Sequence, residues 1–348
     1  MLAADLAGLS ERQAAAGVVS RLAAHPELSV QDVASVLPAL DRAPEDETAQ
    51  ALFEALDDRG LATQALLHRL GRIHAAHDRF VDAHAVLERA AREAPSAPIL
   101  LDLARVSDKL GELRQALGYL AHARELDPEN AATHFLFGVI CVKLDLGREA
   151  YDALTKAVAL DPDNALATYA LGAVSIHRRD PSEAIPRFEK YVQLVPDDPR
   201  GRFALGAARF YSNLFDEARQ DLEQAAKAPE TEAGARYLLA RIARQTNDLE
   251  TAARELDEVL RAAPDHADAW AELGLVRLRM GQHADAERSL ERALAIDPEN
   301  YAATMNLAKL YARTKDPRQE VLKRRLDTLQ EKRADTAQDF LRIIEVVP

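Results

Sequence analysis

A column of small residues returns every 33 or 34 positions along this chain: Gly71, Ala104, Gly138, Gly172, Gly206, Ala240, Gly274 and Ala308. Each follows a large apolar residue, in order Leu70, Leu103, Phe137, Leu171, Leu205, Leu239, Leu273 and Leu307. Twelve residues further on stands a second small column, Ala83, Ala116, Ala150, Ala184, Ala218, Ala252 and Ala286. Four later comes a bulky one, Leu87, Leu120, Leu154, Phe188, Leu222, Leu256 and Leu290. Pro95, Pro128, Pro162, Pro196, Pro264 and Pro298 close most units, while Pro229 arrives one residue early. A chain with this period grows lengthwise, each segment packing on its neighbours, and not around one large core.

Within a unit such as 267–300, apolar residues recur at helical spacing in two stretches of roughly a dozen residues. Breakers separate the stretches: Gly111, Gly147, Asp180 with Pro181, Asn213, Asn247 with Asp248, Gly281, and Asp316 with Pro317. Each unit therefore reads as a helical hairpin. Small residues on both helices let the backbones approach, and the Leu column fills the space between. The Asp-Pro pairs stop a helix, because the residue before proline avoids the helical region. Pro229 predicts a rebuilt loop, and Pro186 a mild kink near the start of its helix.

These residues resemble the tetratricopeptide repeat, with its W-x2-L-G-x2-Y, then A-x3-F, then P pattern. Trp270, Leu273, Gly274, Ala286, Leu290, Ala293 and Pro298 match it most fully, and the resemblance covers 64 to about 314. His134, Thr168, Arg202 and Arg236 depart from it in the Trp270 register. The resemblance implies an all-α fold, a right-handed superhelical solenoid of hairpins whose first helices line a concave side, and a protein-binding role.

The ends differ from the middle. Residues 1–63 lack the repeat but carry a capping box at Ser10 and Gln13 and apolar stripes at Val30–Leu40 and Leu52–Leu56. They read as degenerate hairpins or an N-terminal helical cap. A helix-turn-helix is disfavoured, since Asp41, Glu45, Asp46, Glu47, Glu54, Asp57 and Asp58 crowd where a recognition helix needs basic residues. Residues 64–314 hold about seven and a half units, and 315–348 a charged capping helix followed by an apolar tail. In the helix, Val321, Leu322, Leu326 and Leu329 form one apolar side. The tail, Phe340 to Val347, either folds back onto the array or docks elsewhere.

Composition narrows the function. The net charge is −13, which excludes an extended nucleic-acid footprint. Cys141 is the sole cysteine, so there is no internal disulfide framework. No secretory leader and no run of about 18 apolar residues is present, so direct membrane insertion is not expected. The expectation is a cytoplasmic and, from its Ala/Arg/Asp richness, bacterial protein. His68, His74, His77 and His84 cluster in the first unit, but no cysteine or carboxylate pairing completes a metal site. Cys141 falls in an interhelical register, as a buried apolar filler. No phosphate loop, nucleophile elbow or HExxH appears, so neither catalysis nor a cofactor is expected.

Helical spacing places a partner-facing stripe on the first helices. It carries Phe135, Val139 and Lys143; then Tyr169, Ile176 and His177; then Phe203, Phe210 and Tyr211. Tyr237, Arg241, Arg244, Gln245, Arg279, Lys309 and Arg313 continue it. The stripe is aromatic in the middle and basic toward the C-terminal end. On an acidic chain this suits a protein or peptide with apolar anchors and acidic groups. The competing reading packs the aromatics between adjacent first helices and pairs the arginines with neighbouring acids. The function expected is a non-enzymatic scaffold or adaptor. A ligand or peptide sensor and a self-assembling homo-oligomer are the alternatives.

Overall fold

In a computed structural model, residues 62–177 and 180–335 are described, together with Asp57 and Gly60. The N-terminal segment 1–56 and the tail 336–348, with the expectations attached to them, lie outside the described residues. Sixteen helices and no strands occur among the described residues, and the chain separates into two compact units, Met1–Leu160 and Asp161–Pro348.

Among the described residues the first unit contains three hairpins: α1 (Gln64–Ala76) with α2 (Phe80–Glu93), α3 (Ala97–Lys109) with α4 (Leu113–Leu126), and α5 (Ala131–Lys143) with α6 (Gly147–Leu160). The second begins with α7 (Ala165–His177) and α8 (Pro181–Leu194), then α9 (Pro199–Tyr211) and α10 (Phe215–Ala225). It continues with α11 (Pro229–Gln245) and α12 (Leu249–Ala262), α13 (Ala267–Arg279) and α14 (His283–Ile296), and α15 (Tyr301–Thr314) with α16 (Gln319–Asp335). The chain is an all-α repeat solenoid.

The columns acquire direct physical meaning. A Cβ added to Gly138 would lie 2.6 Å from Leu154 Cγ, and one added to Gly206 2.7 Å from Leu222 Cγ. The small residue of each first helix is thus the seat for the bulky residue sixteen positions later. In seven of the hairpins the turn is built on a left-handed residue: Asp78, Gly111, Asp145, Asn213, Asn247, Gly281 and Lys315 have φ between 55° and 79°. Gly, Asn and Asp adopt this conformation at least cost. In the α5–α6 turn Asp145 fills that place, and Gly147, expected to be the breaker, is instead the first residue of α6.

The loops between hairpins also repeat. Asn130, Asn164 and Asn300 each accept a hydrogen bond from the backbone N–H three residues on, at 3.0, 3.0 and 2.9 Å. His266 caps α13 by the same device, and Asp198 caps α9 by accepting from the backbone N–H of Arg200, two residues on. At Pro229 the loop is rebuilt by lengthening a helix: α10 has 11 residues and α11 has 17. Proline suits the first turn of α11, where its missing N–H costs nothing. α8 runs through Pro186 as one helix of 14 residues.

Three of the four departures in the Trp270 register fall into two kinds, while the fourth, Thr168, is simply buried. Trp270 donates its indole N–H to the Pro264 carbonyl at 2.9 Å, and His134 Nε2 reaches the Pro128 carbonyl at 2.8 Å. Arg202 and Arg236 turn instead to acids on their own second helices, Asp221 at 3.3 Å and Glu255 at 2.8 Å. Asp221 is buried and also bonded to Arg209 at 2.5 Å, which prevents it from being an uncompensated buried charge.

In the last described hairpin, α16 lies on α15 with Leu322 and Leu329 buried and Leu326 packed against the cluster that holds Leu322. Val321 is 67% exposed, off the apolar side where the sequence pattern had put it. Tyr311 fastens this end, donating to Glu287 at 2.9 Å while the Arg318 guanidinium sits 4.1 Å over its ring.

Candidate partner-binding face

The stripe is built by the first helix of each hairpin. In the first unit Phe135 is half-buried, Val139 is buried, and Lys143 is exposed and paired with Asp108 at 2.5 Å. Arg105, one hairpin earlier, is likewise held by Asp102 at 2.9 Å. The basic groups of this part of the stripe have partners of their own.

In the second unit the aromatic part is packing. Tyr169 and Ile176 are each 2% exposed, Phe210 5% and Phe203 8%. Tyr169 is set edge-on between Phe188 and Tyr191, with centroids 5.3 and 4.9 Å away. Phe203 lies against Gly234, where a Cβ would come within 2.9 Å of its ring, so a first helix is seated on its predecessor. His177 is the last residue of α7. Among the aromatics of this unit's stripe, Tyr211 and Tyr237 keep accessible surface.

The basic part divides in two. Arg244 Nε donates to Glu272, and both side chains are largely covered, at 15% and 13% exposed. Arg279 donates to the Arg244 carbonyl at 2.7 Å and remains exposed, as do Gln245, Lys309 and Arg313. Arg241 behaves differently. Its guanidinium carbon lies 4.8 Å from the centroid of Phe210, 5.7 Å from Tyr237 and 5.9 Å from Tyr211. Tyr237 in turn stacks on His266, with centroids 5.4 Å apart and planes 28° apart. Burial pushes the Tyr237 phenol well above its ordinary range and raises that of Tyr211, and Arg241 works against the rise in both. Among the described residues no carboxylate pairs with Arg241, Arg279, Lys309 or Arg313.

Glu272, Gly234 and His266 belong to this face and were not anticipated. Glu272 had a signal: it and Asp102 are the acids in a column otherwise made of Arg69, Leu136, Ala170, Ala204, Leu238 and Asn306. Gly234 and His266 had none, since their partners, Phe203 and Tyr237, come from other hairpins.

Two family models, both described as tetratricopeptide repeat, match the chain, one over residues 143–199 and the other over 210–274 and 277–319. The chain is a tetratricopeptide repeat protein. The fold agrees with solved structures. The pilF protein of Pseudomonas aeruginosa is 24% identical at a TM-score of 0.50, over 58% of this chain and 92% of that one. A tetratricopeptide repeat protein from Parabacteroides merdae is 16% identical at 0.53, over 71% and 98%. The Cut9–Hcn1 hetero-tetramer of the APC/C is 15% identical at 0.54, over 86% and 60%. No curated protein matches the sequence.

Tetratricopeptide repeats generally mediate protein–protein interaction, and no enzyme family matches here. The groups of this repeat protein that could carry chemistry are engaged structurally. Cys141 is fully buried, and burial pushes its thiol up to about 11, far from the thiolate form at neutral pH. The histidines disperse: His68 bonds Asp102 at 2.9 Å, His74 is buried in α1, His77 caps that helix, and His84 meets Tyr119 at 3.4 Å. No group of three metal-ligating side chains and no helix long and apolar enough to cross a membrane occurs among the described residues.

Proposed function

We propose that this protein is a non-enzymatic scaffold or adaptor that holds a segment of a partner protein along its first helices, with the acidic part of that segment over α11, α13 and α15. The observation that carries this reading is the set Arg241, Arg279, Lys309 and Arg313. Four cations lie on one stripe of the first helices, at two registers four residues apart, on an acidic chain and with no carboxylate partner among the described residues. Exposed lysines and arginines are ordinary, but their repetition along one stripe gives that stripe a sign. Complementary sign sets encounter rate and register with a partner. Tyr211 and Tyr237 supply half-covered aromatic surface beside it, the residue type that anchors protein interfaces.

The test reverses charge where the fold does not depend on it. Arg279, Lys309 and Arg313 are changed together to Glu, and Arg244 is spared because its pair with Glu272 is covered. A partner captured stoichiometrically from native lysate is purified and its affinity remeasured with both proteins. Loss of affinity in the triple variant, with the thermal midpoint preserved, supports the assignment. Equal affinity would remove the partner from this face.

A further inference from the structure

The starts of the first helices hold a column of their own. Asn130, Asn164, Asp198, His266 and Asn300 recur at intervals of 34 residues or twice that, the rebuilt start of α11 being skipped. Each accepts a hydrogen bond from a backbone N–H in the first turn of its helix. Amide and carboxylate oxygens serve in this way at any pH near neutral, but an imidazole nitrogen does not. His266 Nδ1 accepts from the Ala269 N–H at 3.3 Å, which requires a bare Nδ1 and the ring proton on Nε2. Histidine is the side chain that gains its second ring proton between roughly pH 8 and pH 5. Both nitrogens are then donors, and a positive group stands at the positive end of a helix.

The cap is also a joint. His266 is half-buried, and its ring stacks on Tyr237 of α11, with centroids 5.4 Å apart. Several charged or titratable groups belong to the elements that meet here. They are Asp265 in the loop, Asp268 and Glu272 on α13, and Tyr237 and Arg241 on α11. On the last turn of α12, Arg261 is paired with Glu258, and Asp297, just after α14, accepts from the Glu299 N–H. From α15 the neutral Asn300 reaches Asp268 at 2.7 Å. The acids can share a new positive charge, but the lone pair that held Ala269 is gone.

We propose that His266 is a proton-operated cap: on gaining a proton below neutral pH it releases the Ala269 N–H and the first turn of α13, while the hairpins capped by Asn130, Asn164 and Asn300 keep theirs. A solenoid of near-identical joints thereby gains a joint that answers to acidification. Tyr237 is the neighbour through which a change there would reach the candidate face, but the device operates whatever that face binds.

The test follows single amides by NMR in the isotope-labelled full chain, from about pH 8 to about pH 5.5. Hydrogen exchange at Ala269 is measured as a ratio to that at Ala303, which Asn300 caps, so that the intrinsic pH dependence of exchange cancels. The ratio is expected to rise about fivefold on the acid side, the loss of one typical cap, with a midpoint that coincides with the titration of the His266 ring protons. His266→Asn installs the residue found at 130, 164 and 300, and in it the ratio should stay flat and low. His266→Ala, which has no cap to lose, should show the high ratio throughout. A flat ratio in the wild type while the His266 ring titrates would overturn the proposal, as would the same acid-side rise in His266→Asn. If His266→Asn does not fold, comparison of Ala269 with Ala303 and Thr133 inside the wild type decides by itself, because Asn caps hold both reference amides.

Discussion

On α7 and α9 the first-helix stripe carries Tyr169, Ile176, Phe203 and Phe210, all buried; on α11, α13 and α15 it carries Arg241 and Lys309, four residues beyond the Tyr169 position of the repeat, and Arg279 and Arg313, one beyond the Ile176 position, none of them buried. The period is shared and the registers are neighbouring, yet the two stretches do different work. An aromatic ring at this position finds apolar surface in the neighbouring helices and is covered by them, as Phe203 is covered at Gly234. A guanidinium at the Phe210 position, as Arg244 is, becomes covered only because Glu272 faces it, and cations elsewhere on the stripe without such an acid keep accessible surface. Spacing chooses the stripe; register within it and side-chain chemistry together decide which residues become core and which contact surface.

The largest test of this contrast is truncation on each side of it. Tyr169→Ala should cost about 3–5 kcal/mol by denaturant unfolding, as buried aromatic truncations do. Lys309→Ala should stay within about 0.5 kcal/mol. Comparable losses at the two sites would erase the distinction. A smaller effect separates the two arginines of α11. Glu272→Gln leaves Arg244 covered without its carboxylate and should cost about 2 kcal/mol, whereas no such loss is expected from Arg241→Gln, which strands no acid.

The smallest effect is a titration. Burial, with Glu88, pushes Tyr119 up to about 12, and burial raises Tyr191, Tyr237 and Tyr311 further. A raised phenol contributes stability that is fully present below the unfolded value of about 10 and is lost as pH rises toward the folded one. The unfolding midpoint should therefore hold through neutral pH and fall on the alkaline side, with a late wave in tyrosinate absorbance. Arg241→Gln removes the cation that opposes the rise at Tyr237 and Tyr211, so part of that wave should move later still. An unchanged titration would place Arg241 away from both rings.

Much of the fold was legible because each unit writes the same local rules again. The Gly206 and Leu222 columns, the Asn130 and Asn300 caps, and the proline closures each need only neighbours within a unit or the next one. Gly147 misled because a glycine ahead of a helix resembles a turn residue, while Asp145 could adopt the left-handed conformation that the turn required. Val321 misled because, among the described residues, α16 packs mainly on α15, and the apolar side it buries there is correspondingly narrow. On the candidate face the stripe was readable from spacing, but the division between buried rings, the neutralised Arg244 and the stacked Arg241 was not.

By itself the sequence determined the helical hairpin, its period, its turns and the positions that could face outward, since these follow from short-range sterics and apolar spacing repeated many times over. Only the tertiary structure decided which of those positions stayed outward. A counter-ion or a covering ring arrives from residues 28 to 31 positions away, as Glu272 does for Arg244 and Phe210 for Arg241, and that meeting depends on how one hairpin is seated on the next.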